Sequence, residues 1–166
     1  NFYDAVVGGL SVGVPGAVRM LELAHQEHGK LEWADNWAGA TALAEDGFEV
    51  SPRLNELLDR IPRLKQLPAA ANYFYSADGA PRPVGYQLKN PAYASTLKTI
   101  AEGGADAYYE GPIAEAIVEA VNSAPNPSGM TLEDLANYQP VKRDAVCGDY
   151  RSYQICSMAP PSSGGV

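Results

Sequence analysis

Through most of the chain, apolar positions recur at helical spacing in short runs, and each run is closed by Gly or Pro. Val18, Leu21 and Ala24 form one such stripe, with Arg19, Glu22 and Gln26 elsewhere on the cylinder. Pro15 suits the first turn of that helix, where its missing N–H costs nothing, and Gly29 suits a left-handed cap at its end. A second helix is predicted over residues 31–46, with Trp33, Trp37, Ala40 and Ala44 on or near one stripe and Gly47 as its stop. Ser51-Pro52 reads as N-cap and first position of a third helix; its stripe is Leu54, Leu57, Leu58 and Ile61, and Pro62 interrupts it. Residues 67–89 are irregular, a loop carrying a short helix. Asn90-Pro91 opens a helix in the same cap-plus-proline style, running through Leu97 and Ile100 to Gly103-Gly104. A short turn then leads to Gly111-Pro112 and a helix with Ile113, Ile117, Ala120 and Val121, closed by Pro125 and Pro127. Thr131 and Asp134 have the spacing of a capping box, with Asp as a shorter stand-in for Glu.

The period changes after residue 140. Val146, Tyr150, Tyr153 and Ile155 flank Gly148-Asp149 and Arg151-Ser152, which reads as a β-hairpin. The fold class is therefore mainly α, several short helices with a C-terminal β-hairpin. Residues 1–140 form the helical region, and residues 141–166 form the hairpin and the start of a next element. With Arg151-Ser152 at the turn centre, Cys147 faces Cys156 at a non-hydrogen-bonded site, where side chains come closest. A disulfide is then within reach, with Cα atoms under ~7 Å apart. The alternative reading is two small buried hydrophobes, and a slip of one residue would separate them.

Composition narrows the classes. At 166 residues, 46% of them hydrophobic, the chain can bury a core, and wholesale disorder is excluded. Twelve Lys+Arg against twenty Asp+Glu give a net charge of -8, so nucleic acid and anionic membrane are poor partners. No apolar run reaches the ~18 residues of a membrane span, and no basic-then-apolar signal segment opens the chain. The start at Asn1 without Met, and the end on Gly164-Gly165-Val166, read as a piece of a longer polypeptide.

Two patterns hint at chemistry. Gly9-Leu10-Ser11-Val12-Gly13 has the form of a serine nucleophile elbow. That elbow needs an acid and then a His downstream, yet the chain's histidines are His25 and His28 with no Asp between them and Ser11, so a Gly-rich lead into a helix is the better reading. His25 and His28 lie three apart on one helix, but a metal site needs three or four convergent ligands; two exposed histidines at a helix C-terminus is the simpler account. No metal, cofactor or catalytic residue is assigned.

An ordered set of motifs carries a resemblance: residues 10–18 (Leu-Ser-Val-Gly-Val-Pro-Gly-Ala-Val), Leu43-Ala44-Glu45-Asp46-Gly47-Phe48 with Val50-Ser51-Pro52-Arg53-Leu54, Asn90-Pro91, Tyr109-Glu110-Gly111, Leu132-Glu133-Asp134-Leu135, and Cys147-Gly148-Asp149-Tyr150-Arg151-Ser152-Tyr153 running on to Ser157-Met158-Ala159-Pro160-Pro161-Ser162-Ser163-Gly164-Gly165. From about Gly9 to the last residue the chain resembles the large subunit of a gamma-glutamyltransferase, or gamma-glutamyl transpeptidase. The resemblance implies the helical part of an αββα amino-terminal nucleophile hydrolase, whose precursor cleaves itself into large and small subunits. It implies an N-terminal Thr on the small subunit that attacks the gamma-glutamyl amide of glutathione or a relative, and an acyl-enzyme resolved by water or by an amino acid or peptide acceptor. The parent's partners would be its small subunit and the remainder of its large subunit, and its location periplasmic or secreted.

This chain holds none of that machinery. Asn1 is not such a nucleophile, and Thr41, Thr96, Thr99 and Thr131 fall in predicted helices or caps. Ser162 to Gly165 should come nearest the active site. Two departures from the family pattern are Ala159, where a proline is common, and Ser152, where Gly is frequent. The alternatives are a segment of a cephalosporin (beta-lactam) acylase of the same superfamily, and a non-catalytic helical interaction domain. A piece of a larger fold should also leave one apolar stripe uncovered, with Leu54, Leu57, Leu58 and Ile61, or Ile113, Ile117 and Val121, as the helical candidates.

Overall fold

The computed structural model describes residues 6–163. The start of a next element at Gly165-Val166 therefore lies outside the described residues. The helices are α1 (Ala17–His28), α2 (Ala38–Asp46), α3 (Pro52–Arg60), α4 (Pro68–Phe74), α5 (Pro91–Gly103), α6 (Asp106–Tyr109), α7 (Gly111–Ser123) and α8 (Leu132–Ala136). Short 3-10 turns cover Gly9–Ser11, Ala34–Trp37 and Pro62–Gln66. Strands β1 (Phe48–Glu49) and β2 (Gln87–Leu88) pair antiparallel, and β3 (Val146–Tyr150) pairs with β4 (Tyr153–Ser157). The protein is mainly helical with a C-terminal hairpin.

The caps form where short-range chemistry requires them. Ser51 accepts from the Leu54 N–H at 3.1 Å, and Asn90 accepts from the Tyr93 N–H at 2.9 Å, each followed by Pro at the first helical position. At α8 the capping box is complete. The Asp134 N–H donates to the Thr131 hydroxyl at 3.2 Å, and the Thr131 N–H donates to the Asp134 carboxylate at 2.8 Å. The Thr131 N–H, then the Thr131 hydroxyl, hold the Asp134 carboxyl below its ordinary value of 3.8. A carboxylate whose folded pKa is depressed stabilises above the unfolded value and stops doing so as pH falls through the folded one. The α8 N-terminus should therefore stay capped down to pH 3.8 and fray below it. An NMR titration of the Thr131 amide should show a midpoint below that of an unstructured Asp; a midpoint at the ordinary value would remove the box.

Three expectations change. Residues 31–46 split into a 3-10 turn and α2, because Trp33 is drawn aside to donate its indole N–H to the Ile100 carbonyl at 3.0 Å. Gly29 is extended (φ -64°, ψ 147°) rather than left-handed. Its glycine is needed for space: a Cβ there would sit 2.4 Å from the His25 ring, which itself bonds the Leu31 carbonyl at 2.8 Å. Pro15 stops two residues short of α1, and its carbonyl accepts the Tyr109 hydroxyl at 2.6 Å. Gly47, by contrast, ends α2 at φ 89°, a left-handed value suited to Gly.

Two packed regions result. In one, Ala105, Tyr109, Ala114, Val121, Met130 and Leu135 form a buried cluster, flanked by Val14, Val18, Ile117 and Tyr138. Tyr109 is its hub: its ring stacks on Tyr138 at 5.8 Å, Arg19 lies over the same ring at 4.7 Å, and its hydroxyl also accepts the Arg19 N–H. In the other, α2 lies against α5 over Ala94, Leu97 and Ile100, with Lys98 paired to Glu45.

Candidate functional site

The Ser11 hydroxyl is used locally. It donates to the Val6 carbonyl at 2.9 Å and lies 3.2 Å from the Gly8 carbonyl, inside its own loop. That loop docks on the end of α7: the Gly9 N–H donates to Pro125 at 3.1 Å and the Leu10 N–H to Asn126 at 2.6 Å. Gly9 of the elbow-like motif thus serves close backbone approach, while a Cβ at Gly13 would meet nothing within 4 Å. His25 and His28 do not converge on shared ligands: His25 holds Leu31 and meets the Trp33 ring at 5.4 Å, while His28 faces Glu27 at 3.5 Å. Among the described residues no group of three or more His, Cys, Asp or Glu is placed to hold a metal. The threonines serve structure: Thr41 is buried in α2, Thr96 and Thr99 bond carbonyls four residues back, and Thr131 caps α8.

Charge is likewise committed to packing. Burial works against the Arg19 guanidinium, but Asp106 at 2.6 Å and Glu22 at 3.3 Å outweigh it, and its pKa stands above the ordinary value. Glu22 also accepts the Ala105 N–H at 2.7 Å, which ties α1 to the start of α6. Burial raises the Tyr109 and Tyr73 hydroxyls above their ordinary pKa.

Open apolar surface is what remains for function. Two cavities border α2. A cavity of about 560 Å³ runs between Leu21, His25, Trp33 and Trp37, and a second of about 500 Å³ between Leu43, Phe48, Tyr73 and Tyr93; the two meet at Ala40. The larger uncovered feature is the hairpin. Every residue of β3 and β4 is exposed except half-buried Ser157. The ladder has the register set by a turn at Arg151-Ser152, with Tyr150 opposite Tyr153 and Cys147 opposite Cys156. The Cys147 and Cys156 Cα atoms lie 4.1 Å apart, with the sulfurs 2.12 Å apart. The helical stripes named from the sequence are better covered than the hairpin: Leu58 and Val121 are buried, and Ile61 is exposed.

A fold of this kind, one hairpin uncovered and no reactive constellation among its described residues, invites comparison with larger enzymes. The sequence profile of the family described as Gamma-glutamyltranspeptidase matches residues 2–166. The chain belongs to the gamma-glutamyltranspeptidase family. It is 40% identical over 170 residues to a glutathione hydrolase proenzyme of Arthroderma benhamiae, covering 100% of this chain and 29% of that protein. The crystal structure of Helicobacter pylori gamma-glutamyltranspeptidase superposes with a TM-score of 0.89 at 33% identity, over 97% of this chain and 46% of that one. A cephalosporin acylase from Bacillus halodurans superposes at 0.79 with 27% identity, over 90% of this chain and 29% of that one. The chain thus spans under a third of the curated relative that it matches end to end. No helix among the described residues is long and apolar enough to cross a membrane.

Proposed function

We propose that the chain is the helical region, residues 1–140, and the first hairpin, from residue 141, of the large subunit of an amino-terminal nucleophile hydrolase acting on gamma-glutamyl amides. In that reading the parent transfers the gamma-glutamyl group of glutathione or a related amide to water, an amino acid or a peptide. The nucleophile is an N-terminal Thr of a small subunit released by self-cleavage, with its own α-amine as base. Donors outside this chain stabilise the tetrahedral oxyanion. The observation that carries the reading is the family match from residue 2 to residue 166.

The contribution of this chain is architectural. The Tyr109 cluster and the α2–α5 pair form a scaffold, and the hairpin leads toward Ser162 and the sandwich. The parent is periplasmic or secreted, a setting in which a Cys147–Cys156 bond forms.

The isolated chain should not turn over a chromogenic gamma-glutamyl anilide, whereas the full parent should. Turnover that follows the 166-residue chain through purification would overturn the assignment of the nucleophile to another segment. The likeness to the acylase supports a second reading, in which the parent cleaves a cephalosporin side-chain amide. Assaying the parent on both amides separates the two. A cooperative monomer with no parent reading frame would point instead to a helical interaction domain.

A further inference from the structure

We propose that the cavity walled by residues 65–82 binds a small organic carboxylate, whose charge is taken by Lys65 and Arg82 and whose apolar stem lies on Ala71, Tyr75 and Ala77. Such a site is independent of the reaction proposed for the parent.

The chain is acidic as a whole, at -8, but its charge is unevenly spread. Residues 52–82 hold five cations, Arg53, Arg60, Arg63, Lys65 and Arg82, against three acids, Glu56, Asp59 and Asp78, which leaves that stretch at +2. The rest of the chain holds seven cations against seventeen acids and stands at -10. A cavity of about 440 Å³ opens in the basic stretch, between the 3-10 turn Pro62–Gln66, α4 and the turn that follows α4. Among the described residues Lys65 and Arg82 border it, and no carboxylate does. The polar cavity beside Arg19 is the contrast: Glu22, Asp106 and Glu110 line it, so it brings its own counter-charges. Two cations on a concave, partly apolar wall focus a positive field that an acidic chain would otherwise cancel.

Arg82 is held in place by the fold. Its N–H donates to the Phe74 carbonyl at 2.9 Å, and its carbonyl accepts the Asn55 side-chain amide at 3.0 Å. Its guanidinium lies 4.7 Å from the Tyr86 ring centre and donates to the Asn72 carbonyl at 3.3 Å, while its Nε is buried without a partner. A guanidinium has five N–H donors, so one bond to a neutral carbonyl leaves its charge unmatched. Lys65 lies 5.1 Å from the Tyr75 ring centre and makes no ion pair among the described residues. Asp78 feels the Lys65 charge without pairing with it, and its carboxylate is already occupied by the Ser76 hydroxyl at 2.6 Å and the Ala80 N–H at 3.1 Å. The apolar part of the wall sets the ligand class. Tyr75 is 3% exposed and its hydroxyl is spent on the Leu58 carbonyl at 2.8 Å, so it offers the cavity a ring rather than a polar group. Ala71 and Ala77 extend that surface. A carboxylate with a short alkyl stem uses both halves of the wall, whereas phosphate gains nothing from the apolar half.

Butyrate is the probe, and NMR of the 166-residue chain reads it at the Ser76, Ala77 and Gly79 amides and at the Arg82 Nε–H. Butyrate should shift these signals saturably, and butyramide, its uncharged counterpart, should not. Lys65→Gln and Arg82→Gln should each weaken butyrate by about tenfold, the size of one lost charge-assisted hydrogen bond. Lys30→Gln, at an exposed cation outside the cavity, should leave it unchanged. Lys65 is itself exposed, so its variant reads binding even where Arg82→Gln loosens the fold. No saturable shift, equal shifts with butyramide, or equal affinity of the Lys65 and Lys30 variants overturns the site. Inorganic phosphate binding more tightly than butyrate overturns the carboxylate class. Saturation transfer to the butyrate methylenes repeats the titration on the full parent polypeptide. Binding to the 166-residue chain but not to the parent also overturns the site, since another segment then fills the cavity. Binding to both, lost in Lys65→Gln, supports it whether or not the parent turns over a gamma-glutamyl amide.

Discussion

Tyr109→Ala should lower the unfolding free energy by about 4 kcal/mol, the middle of the range for buried aromatics. Tyr109 is 1% exposed and joins three parts of the chain. Its ring packs with Tyr108 and Tyr138 and under the Arg19 guanidinium, and its hydroxyl bridges the Pro15 carbonyl and the Arg19 N–H. Truncation leaves a cavity, removes the anchor of the α1 N-terminus and strands a carbonyl and an N–H. Tyr109→Phe keeps the ring and isolates the hydroxyl, and should cost about 1–2 kcal/mol. Urea unfolding followed by circular dichroism measures both. A loss under about 1 kcal/mol for Tyr109→Ala would show that the cluster has no hub.

The second large effect is expected at Gly9. A Cβ there would lie 1.9 Å from the Val121 carbonyl oxygen and 2.8 Å from the Ser128 nitrogen, and backbone cannot step aside as a flexible side chain can. Gly9→Ala should cost about 3 kcal/mol, the upper part of the overpacking range, or detach residues 6–12 from the end of α7. The Leu10 amide, bonded to the Asn126 carbonyl, should then lose its exchange protection. Ser11→Ala should change stability by less than about 1 kcal/mol, since its two contacts are exposed and within its own loop. That contrast separates a motif that needs its first glycine from one that needs its serine; a large Ser11 effect with a small Gly9 effect would reverse the assignment.

The exposed apolar surface was legible only in part. Its hairpin stood out from the change of period at Val146, and the facing of Cys147 and Cys156 followed from counting outward from a two-residue turn. The cavities bordering α2 had no comparable signal. Leu21, Trp37 and Tyr93 belong to separate helical runs, and nothing in their spacing says that cavities open where those runs meet. The β1–β2 pair was missed for a related reason: two residues on each side carry no period, and Phe48 finds Leu88 across an intervening stretch holding two helices.

Features governed by contacts within a few residues were determined by the sequence alone. The caps at Ser51, Asn90 and Thr131, the prolines that follow two of them, the stop at Gly47 and the hairpin register all depend on bonds spanning three or four residues or on one turn, whose closure costs little entropy. The ordered motifs also pointed to the family, because they preserve the order of such local devices. Tertiary structure alone decided which apolar stripe is buried, that the Trp33 indole donates to the Ile100 carbonyl, and that Pro15 presents its carbonyl to a tyrosine 94 residues away. Each of these depends on groups brought together from distant parts of the chain, where burial and close packing outweigh local preference.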